Sequence, residues 1–268
     1  MTGSLPISFL SDYGHEDEFA GVCHGVIQRL APGTVVVDVT HGLPPHDVEA
    51  GAVVLRNALP FLPEGVHLAI VDPGVGSERR AIAARAGGRF FVGPDNGLLS
   101  PALERCGGAD AAVEISNSPF RLEPVSATFH GRDLFAPVAA RLASGASLEE
   151  AGTSIAPGEL VQLELPVADM AHGRVSAHVL YIDRFGNAQL NVGAGELAAL
   201  APGARLLVDC GEVTGEAVFG RAFADAAEGQ LLVHEDSYGQ LALAANRSSA
   251  ASALGLERGS SVTLRLLT

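Results

Sequence analysis

The sequence predicts an α/β fold for the first part of the chain and an all-β fold for the rest. Through about residue 150, apolar stretches typical of strands alternate with stretches that carry apolar residues at helical spacing. Beyond that point the helical patterns stop, and short strands follow one another between glycine-containing turns. We therefore predict a doubly wound domain with a mainly parallel sheet at 1–168, followed by a smaller all-β barrel domain at 169–268.

The elements of the first domain can be placed in order along the chain. Apolar and β-branched runs predict strands at 7–10, 34–39, 66–71, 80–85, 90–92 and 111–115. Apolar residues at helical spacing predict helices that begin near Phe19, Val48, Leu98 and Leu134, each followed shortly by Pro or Gly. Asp47 and Asp133 are suited to capping the second and the last of these helices.

The second domain contains only short apolar runs. These predict strands at 175–182, 206–210, 218–219, 230–234, 240–245 and 261–267. Glycines lie in most of the turns between them. Because no helical pattern separates the strands, a compact β-barrel or sandwich is expected, and we predict the barrel.

Composition limits the classes of function. A hydrophobic fraction of 47% with 18% charged residues is typical of a well-buried globular protein. A formal net charge of −14 argues against binding to nucleic acid or to an anionic membrane surface. All the basic residues are Arg, which excludes Schiff-base lysines and Walker-type phosphate loops. The amino terminus lacks a signal-peptide pattern and no apolar run reaches transmembrane length, which predicts a cytoplasmic protein.

Carboxylates follow two of the predicted strands. Asp72 comes directly after the strand at 66–71 and opens a turn rich in Pro and Gly, and Asp12 follows the first strand. Open α/β sheets bind their ligands at the carboxyl ends of the strands, so both side chains are candidate ligand-binding groups. Arg79 lies later in the same turn and can fold back toward Asp72. An ordinary surface ion pair and a turn aspartate are the simpler interpretations of these residues.

Histidines accompany carboxylates elsewhere in the first domain. Asp38, His41, His46 and Asp47 surround the end of the second strand and are residue types that ligate divalent metals. Helix capping by Asp47 in a rigid loop is the stronger interpretation there. His130 lies in a polar segment before the last helix, where it is either a proton-transfer group or a structural histidine. The three cysteines are too widely spaced for a zinc cluster or a disulfide framework.

Two turns of the predicted barrel carry groups suited to a nucleoside-like ligand. Asp183 can pair with an ammonium group, Phe185 can stack on a flat ring, and Asn187 can contact the edge of a purine. Ser237 and Tyr238 stand together in a second turn. In both places an ordinary β-turn explains the residues equally well. GxSxG, HExxH, P-loop and GxGxxG motifs are all absent, which removes the commonest classes of enzyme.

Taken together, these stretches resemble one family, the S-adenosyl-L-methionine (SAM) hydroxide adenosyltransferases, relatives of the fluorinases and chlorinases. The matching segments occur in the family's order over nearly the whole chain. They are SDYG (11–14), DVTHGLPPHDVEAGA (38–52), VDPGVGSERR (71–80), VGPDNGLL (92–99), TFHGRDLFAPVAA (128–140), IDRFGN (182–187) and SYGQLALAAN (237–246).

The resemblance implies a fold, an assembly and a substrate. The family has an α/β N-terminal domain and a C-terminal β-barrel, in agreement with the division read from the strand and helix patterns. Its members form homotrimers, in which each site lies between the N-terminal domain of one subunit and the C-terminal domain of the next. SAM is the substrate, and the resemblance implies neither a metal nor another cofactor.

The resemblance also implies roles for individual residues. By motif position, Asp72, Arg79 and His130 match the triad with which the family positions and activates water. The other matched positions contact the substrate: Asp12 the ribose diol, Asp183 the methionine ammonium group, Phe185 and Asn187 the adenine, and Ser237 the methionine carboxylate, with Tyr238 where the fluorinase has an arginine.

Asp72 separates this chain from the halogenating branch of the family, which has a tyrosine at that position. A carboxylate would repel a halide, so water is the expected nucleophile. The sequence therefore predicts hydrolysis of SAM to adenosine and L-methionine by attack of water on the ribose C5′. The alternatives are a SAM-dependent halogenase, a metal-dependent hydrolase that uses His41, His46 and Asp47, and a non-catalytic module that binds SAM or adenosine.

Overall fold

The structure, a computed structural model, describes residues 4–171, 174–197 and 200–267. The chain divides into two compact units, Met1–Leu163 and Glu164–Thr268. The boundary predicted from the sequence, between residues 168 and 169, lies slightly beyond this division and stays a prediction. Within the described ranges, no helix has the length and apolar character needed to cross a membrane.

The first unit alternates strands and helices. Its strands are β1 (Ile7–Ser11), β2 (Val36–Thr40), β3 (Val66–Ile70), β4 (Ala81–Ala86), β5 (Arg89–Pro94), β6 (Ala111–Glu114) and β7 (Thr153–Ile155). Its helices are α1 (Phe19–Leu30), α2 (Val48–Ala58), α3 (Ser100–Arg105), α4 (Ala136–Ala143) and α5 (Leu148–Ala151). Asp47 caps α2 as predicted, since its carboxylate accepts a hydrogen bond from the Ala50 N–H at 3.0 Å.

These strands form one seven-stranded sheet in the order β2-β1-β3-β5-β4-β6-β7. Parallel pairing joins β2, β1, β3 and β5, whereas β4 is antiparallel to β5 and β6, and β7 is antiparallel to β6. Most of the strands therefore point the same way, which confirms the predicted fold class. The chain passes from β1 to β2 on one side and then to β3 on the other, so the strand order reverses between β1 and β3.

Helices cover both faces of this sheet because successive strand residues point to opposite sides. Leu68 and Ile70 of β3 belong to the core cluster that contains residues of α1 and α4. Ala69 and the following Val71 belong to a second cluster, which contains residues of α2 and α3. All four side chains are buried. A central strand covered on both faces needs an uninterrupted apolar run, and this one has it.

The loop between β3 and β4 is closely packed despite its length. A turn closed by the Val75 N–H and the Asp72 carbonyl, 3.2 Å apart, begins it. Gly76 follows with φ +76°, and a Cβ on this residue would lie 2.4 Å from the carbonyl oxygen of Ala127. Glycine therefore lets the loop contact the backbone of the segment that precedes α4.

That segment differs from the prediction. A π-helical turn over Gly131–Phe135 leads into α4, and the Asp133 side chain does not cap the helix. The buried Asp133 carboxylate instead accepts a hydrogen bond from the Ser126 N–H at 2.8 Å and pairs with the Arg132 guanidinium. The expected N-cap was wrong because this carboxylate turns back to close the loop before the helix.

The second unit is a closed barrel. Its strands are β8 (Asp169–Ala171), β9 (Arg174–Ile182), β10 (Ala188–Gly193), β11 (Arg205–Asp209), β12 (Thr214–Phe219), β13 (Leu231–Glu235), β14 (Gln240–Ala245) and β15 (Ser261–Leu266). They are ordered β10-β14-β13-β12-β11-β15-β9-β8, and an additional pairing of β10 with β9 closes the ring. Seven strands therefore form the barrel, with β8 attached outside β9. The predicted barrel is confirmed.

The expectation that helices stop after the first domain was wrong. A short helix, α6 (Ala250–Leu254), follows β14 and is capped by Ser249, whose hydroxyl accepts from the Ser252 N–H at 3.0 Å.

Strand β10 was also missed, because Gln189 and Asn191 interrupt its apolar pattern. Asn191 is satisfied within the barrel, since its side chain accepts from the His178 N–H at 2.7 Å. Distant partners of this kind are invisible in the sequence.

Gly76→Ala should destabilise the protein more than Gly88→Ala. Both glycines have a left-handed backbone, with φ +76° and +77°, so each alanine carries a conformational cost of about 1 kcal/mol. Only Gly76 is also crowded, whereas a Cβ at Gly88 meets nothing within 4 Å. We expect a further loss of about 1–3 kcal/mol in the free energy of unfolding for Gly76→Ala, measured by urea denaturation. Equal losses would contradict the packing described above.

Candidate active site

The polar groups of the first unit gather where the strand order reverses. Asp12 follows β1 and Asp72 follows β3, and these strands are neighbours in the sheet. The Asp12 N–H lies 3.4 Å from the Ile70 carbonyl, so the two chain segments leave the sheet side by side. The amide of Asn96, at the end of β5, donates to the Val71 carbonyl at 2.9 Å and supports the start of the Asp72 turn.

Arg79 connects Asp72 with His130. Its Nε donates to Asp72 Oδ1 at 2.8 Å, and one terminal nitrogen donates to Asp72 Oδ2, so the pairing is bidentate. The same terminal nitrogen lies 2.8 Å from His130 Nδ1. The guanidinium carbon lies 5.2 Å from the centre of the Phe135 ring. Both charged side chains are largely buried, with 11% of Arg79 and 7% of Asp72 exposed.

The contact with Arg79 determines the protonation of His130. A guanidinium can only donate, so Nδ1 accepts and the neutral imidazole carries its proton on Nε2. Burial, and secondly the positive charge of Arg79, lower the pKa of His130 from its ordinary value of 6.5. The imidazole is therefore neutral at neutral pH and presents an N–H donor on the side away from Arg79.

These groups line one cavity of about 220 Å³. Its walls are Asp12, Tyr13, Phe19, Pro45, His46, Asp72, Val75, Thr128, His130 and Gly131. Small-molecule sites usually enclose roughly 300–1,000 Å³. A ligand the size of a nucleoside would therefore fill this cavity and extend out of it. The predicted residues Asp12, Asp72 and His130 are together in its wall.

Asp12 is held in place by the loop that follows β2. Its Oδ2 accepts a hydrogen bond from the His46 N–H at 2.8 Å. His46 adopts a left-handed backbone, with φ +68°, which is uncommon for a residue with a side chain. Strained backbones persist where the surrounding structure requires them, and here the strain directs an N–H at Asp12. A carboxylate has further lone pairs, so Asp12 can still accept from a ligand.

Three aromatic rings pack together beside the cavity, and two of them, Tyr13 and Phe19, line it. Tyr13, Phe19 and Phe129 have ring centroids 5.2–5.9 Å apart. A Cβ on Gly131 would lie 2.1 Å from the Tyr13 hydroxyl oxygen, so this ring rests directly on the glycine backbone. Burial raises the pKa of Tyr13 well above its ordinary value. Sequence reasoning gave these rings no role, although Tyr13 and Phe129 lie within matched motifs of a chain with few aromatics.

In the second unit, the loop after β9 is organised by Asp183. Its Oδ1 accepts from the backbone N–H groups of Phe185 and Asn187, each at 2.9 Å, and its Oδ2 accepts from the Asn187 side-chain amide at 2.8 Å. Gly186 takes φ +81° to close the turn. The Phe185 side chain is left 70% exposed. Phe185 and Asn187 line a cavity of about 580 Å³.

Ser237 and Tyr238 lie in the turn between β13 and β14. Asp236 shapes this turn, because its Oδ1 accepts from the Tyr238 N–H at 2.8 Å. Tyr181, missed by the sequence reasoning, lies near both polar loops of the barrel. Its pKa is raised by burial and then by the charges of Asp183 and Tyr238. The charged groups of Asp183 and Tyr238 thus both act on the half-buried phenol of Tyr181.

The structure does not bring His41, His46 and Asp47, the ligands of the alternative metal-dependent hydrolase, together as one cluster. His46 lines the cavity beside Asp12, and Asp47 caps α2. Asp38 and His41 do lie close together, but their third neighbour is His24 of α1. The sequence reasoning missed this histidine because it lies on α1, 14 residues before Asp38 in the chain, where it reads as part of a helix.

Comparisons with known proteins agree with this architecture. Profiles of the SAM hydroxide adenosyltransferase N-terminal and C-terminal domains match residues 7–152 and 177–263. A solved structure of an uncharacterised conserved protein from Thermotoga maritima is 34% identical, with a TM-score of 0.90 over 97% of this chain and 99% of that chain.

Two curated relatives cover almost the whole chain. A Salinispora tropica protein described as an (R)-S-adenosyl-L-methionine hydrolase is 51% identical over 94% of this chain and 95% of its own length. A fluorinase from an Actinoplanes strain is 32% identical over 98% of each chain. Both domain profiles and the identities lead to one conclusion: the chain belongs to the SAM hydroxide adenosyltransferase family.

Proposed function

We propose that this protein hydrolyses SAM to adenosine and L-methionine. The observation that carries the proposal is the Asp72 carboxylate, held by Arg79 beside a neutral His130 in the wall of a cavity. The similarity to a protein described as a SAM hydrolase, at 51% identity, supports the same reaction. SAM is therefore the proposed small-molecule substrate.

The proposed chemistry is a single displacement at the ribose C5′. A water oxygen attacks C5′ in line with the sulfonium, the C5′–S bond breaks, and its electron pair goes to the sulfur of the departing methionine. A sulfonium leaves as a neutral thioether, so the reaction requires neither protonation of the leaving group nor a cofactor. What the protein must supply is a correctly placed and oriented water.

Each member of the triad has a distinct part in this proposal. Asp72 accepts a hydrogen bond, and finally the proton, from the attacking water. Arg79 fixes the orientation of that carboxylate through its two donors. His130, neutral and protonated on Nε2, donates to the water oxygen and keeps one of its lone pairs directed at C5′. In this proposal the carboxylate is therefore the acceptor and the imidazole the donor, which the Arg79 contact on Nδ1 supports.

Water is favoured over halide for an electrostatic reason. Asp72 is only 7% exposed and faces the cavity, where a halide would meet a carboxylate with little water to screen the repulsion. The more distant similarity to a fluorinase, at 32% identity, does not outweigh this feature. A halogenase is therefore the lesser alternative, and product analysis distinguishes it.

The predicted site residues outside the triad are proposed to bind the substrate. Asp12, anchored by the His46 N–H, would accept from the ribose diol. Phe185 would stack on the adenine and Asn187 would contact its edge, while Asp183 would pair with the methionine ammonium group. Ser237 and Tyr238 would contact the methionine carboxylate. The exposed face of Phe185 supports its assignment, because stacking would cover a ring that is otherwise solvated.

A homotrimer with sites between subunits is the proposed assembly. The small first-unit cavity and the exposed Phe185 support it, because each needs a further surface to enclose a nucleoside. Sedimentation velocity would measure the assembly directly, and a monomer at micromolar concentration would contradict the trimer.

We further propose a cytoplasmic location, where SAM is made and used, and no binding to nucleic acid or membranes.

Turnover in oxygen-18-labelled water tests the reaction. Purified protein incubated with SAM should form adenosine with the label on the 5′ oxygen, together with unlabelled L-methionine. Adding chloride, bromide or fluoride should leave the product unchanged. Formation of a 5′-halo-5′-deoxyadenosine would establish the halogenase alternative, and stoichiometric binding of SAM without turnover would establish the non-catalytic module.

Asp72→Asn should reduce kcat by about 10²–10⁴-fold, the usual contribution of a positioned proton acceptor. The amide keeps the shape of the carboxylate but can neither pair with Arg79 as an anion nor accept a proton. Glu78→Gln is the matched control, since Glu78 is an exposed carboxylate in the same loop and should retain full activity. SAM binding by Asp72→Asn, measured by calorimetry, should persist. Equal kcat values for the two variants would overturn the assignment.

The pH profile of kcat/KM reports on His130. Protonation would remove the lone pair that accepts from Arg79 and place a second positive charge beside it. Activity should therefore be complete above the lowered pKa and fall as the pH drops through it, with a midpoint below 6.5. His130→Asn should lower activity and abolish this acid limb. A midpoint above 6.5, or an unchanged limb in the variant, would contradict the neutral-imidazole proposal.

A further inference from the structure

A second cluster of chemically competent side chains lies outside the cavity. Among the described residues, His24, Asp38 and His41 are the group of three potential metal ligands whose ligand atoms all lie within 4.8 Å of one another. His24 Nε2 lies 2.8 Å from Asp38 Oδ1, and His41 Nε2 lies 3.1 Å from the same oxygen. The three residues come from α1, from β2 and from the position directly after β2.

His41 is the residue that distinguishes this cluster from a surface ion pair. Its side chain is only 2% exposed. Within the part of the chain that the structure describes, its buried Nε2 makes no well-directed hydrogen bond, although Asp38 Oδ1 lies 3.1 Å away. Buried polar atoms are nearly always satisfied, so an unpartnered nitrogen that points at a carboxylate and a second imidazole calls for an explanation.

A hydrogen bond at the other ring nitrogen of His41 already fixes the orientation of the imidazole. Its Nδ1 lies 2.7 Å from the Ser11 hydroxyl, which is itself 3.3 Å from the Tyr13 N–H. Histidines that bind metals almost always use their second nitrogen in such a contact, which fixes the ring and the tautomer. When Nδ1–H donates to Ser11, Nε2 presents its lone pair to the space beside His24 and Asp38.

We propose that His24, Asp38 and His41 bind a divalent transition-metal ion of the zinc class. Two imidazoles and one carboxylate are a common three-ligand set for such ions, with water in the fourth position. Ligand atoms around a tetrahedral zinc ion lie about 3.3 Å apart, given metal–ligand distances of about 2.0–2.1 Å. The two distances from Asp38 Oδ1, 2.8 and 3.1 Å, are slightly shorter than this, and the partly exposed side chains of His24 and Asp38 can move outward to admit the ion.

A bound metal would stabilise the turn that carries Asp12. His41 contacts this turn twice, through Ser11 at its start and through its own carbonyl, which accepts from the Gly14 N–H at 2.7 Å. His15 in the same turn has its ring 5.6 Å from that of His41 and is the nearest additional donor. Because β2 is the edge strand of the sheet and Asp38 is 45% exposed, the ion can enter from solvent. The proposal does not depend on which reaction the cavity supports.

A cobalt titration tests the site with a readout other than activity. Chelator-treated full-length protein should bind one equivalent of Co²⁺ with visible absorption bands of a tetrahedral ion, and Zn²⁺ should displace it. Asp38→Asn and His24→Ala change partly exposed side chains, so both should fold normally, as circular dichroism will verify. Each should weaken Co²⁺ binding by at least about 10–100-fold, the effect reported even for residues that only support a ligand.

His46→Ala is the matched control, because His46 lies in the same β2–α2 loop as His41 but does not belong to the cluster. This variant should bind Co²⁺ as tightly as the parent protein. Zn²⁺ should also raise the thermal midpoint of the parent protein in a concentration-dependent manner, and this shift should be absent in His24→Ala. The proposal is overturned by any of three results: no saturable Co²⁺ binding, parental affinity in His24→Ala and Asp38→Asn, or an equal loss in His46→Ala.

Discussion

The candidate active site depends on the ion pair between Arg79 and Asp72. Taking two charges out of water is costly, and the pair is sustained by bidentate geometry and by the Phe135 ring beneath the guanidinium. Because the same guanidinium donates to His130, one side chain sets both the direction of the carboxylate and the tautomer of the imidazole. Loss of Arg79 would leave a buried carboxylate without its partner, so the arginine supports structure and chemistry together.

Glycines make this arrangement possible by letting backbones approach closely. Gly76 allows the loop that carries Arg79 to touch the carbonyl of Ala127, three residues before His130. Gly131 allows the Tyr13 ring to lie against the backbone directly after His130. The two contacts bring the ends of β1 and β3 and the start of the π-helical turn into one cavity. Side chains at either glycine would separate groups that must meet at hydrogen-bond distance.

Much of the fold could be predicted because its signals are local. The uninterrupted apolar run of β3, the helical spacing in α1 and α2, and the cap formed by Asp47 all depend on neighbouring residues. Asp133, Asn191 and α6 were missed or misassigned for the opposite reason. The Asp133 carboxylate accepts from Ser126, which precedes it, instead of capping the helix that follows it. The Asn191 side chain accepts from His178 on another strand. Helix α6 is too short to produce a periodic pattern.

The sequence by itself determined the two-part architecture, the exclusion of lysine chemistry and the motif positions of Asp12, Asp72, Arg79 and His130. Strand periodicity and residue identity are sufficient for the first two, and the resemblance to the family supplies the motif positions. Only the tertiary structure decided that His130 accepts from Arg79, that the His46 N–H donates to Asp12, and that His24 joins Asp38 and His41. These contacts join side chains from elements that are far apart in the chain. They depend on the direction of each side chain, and only the packing of the elements brings the side chains together.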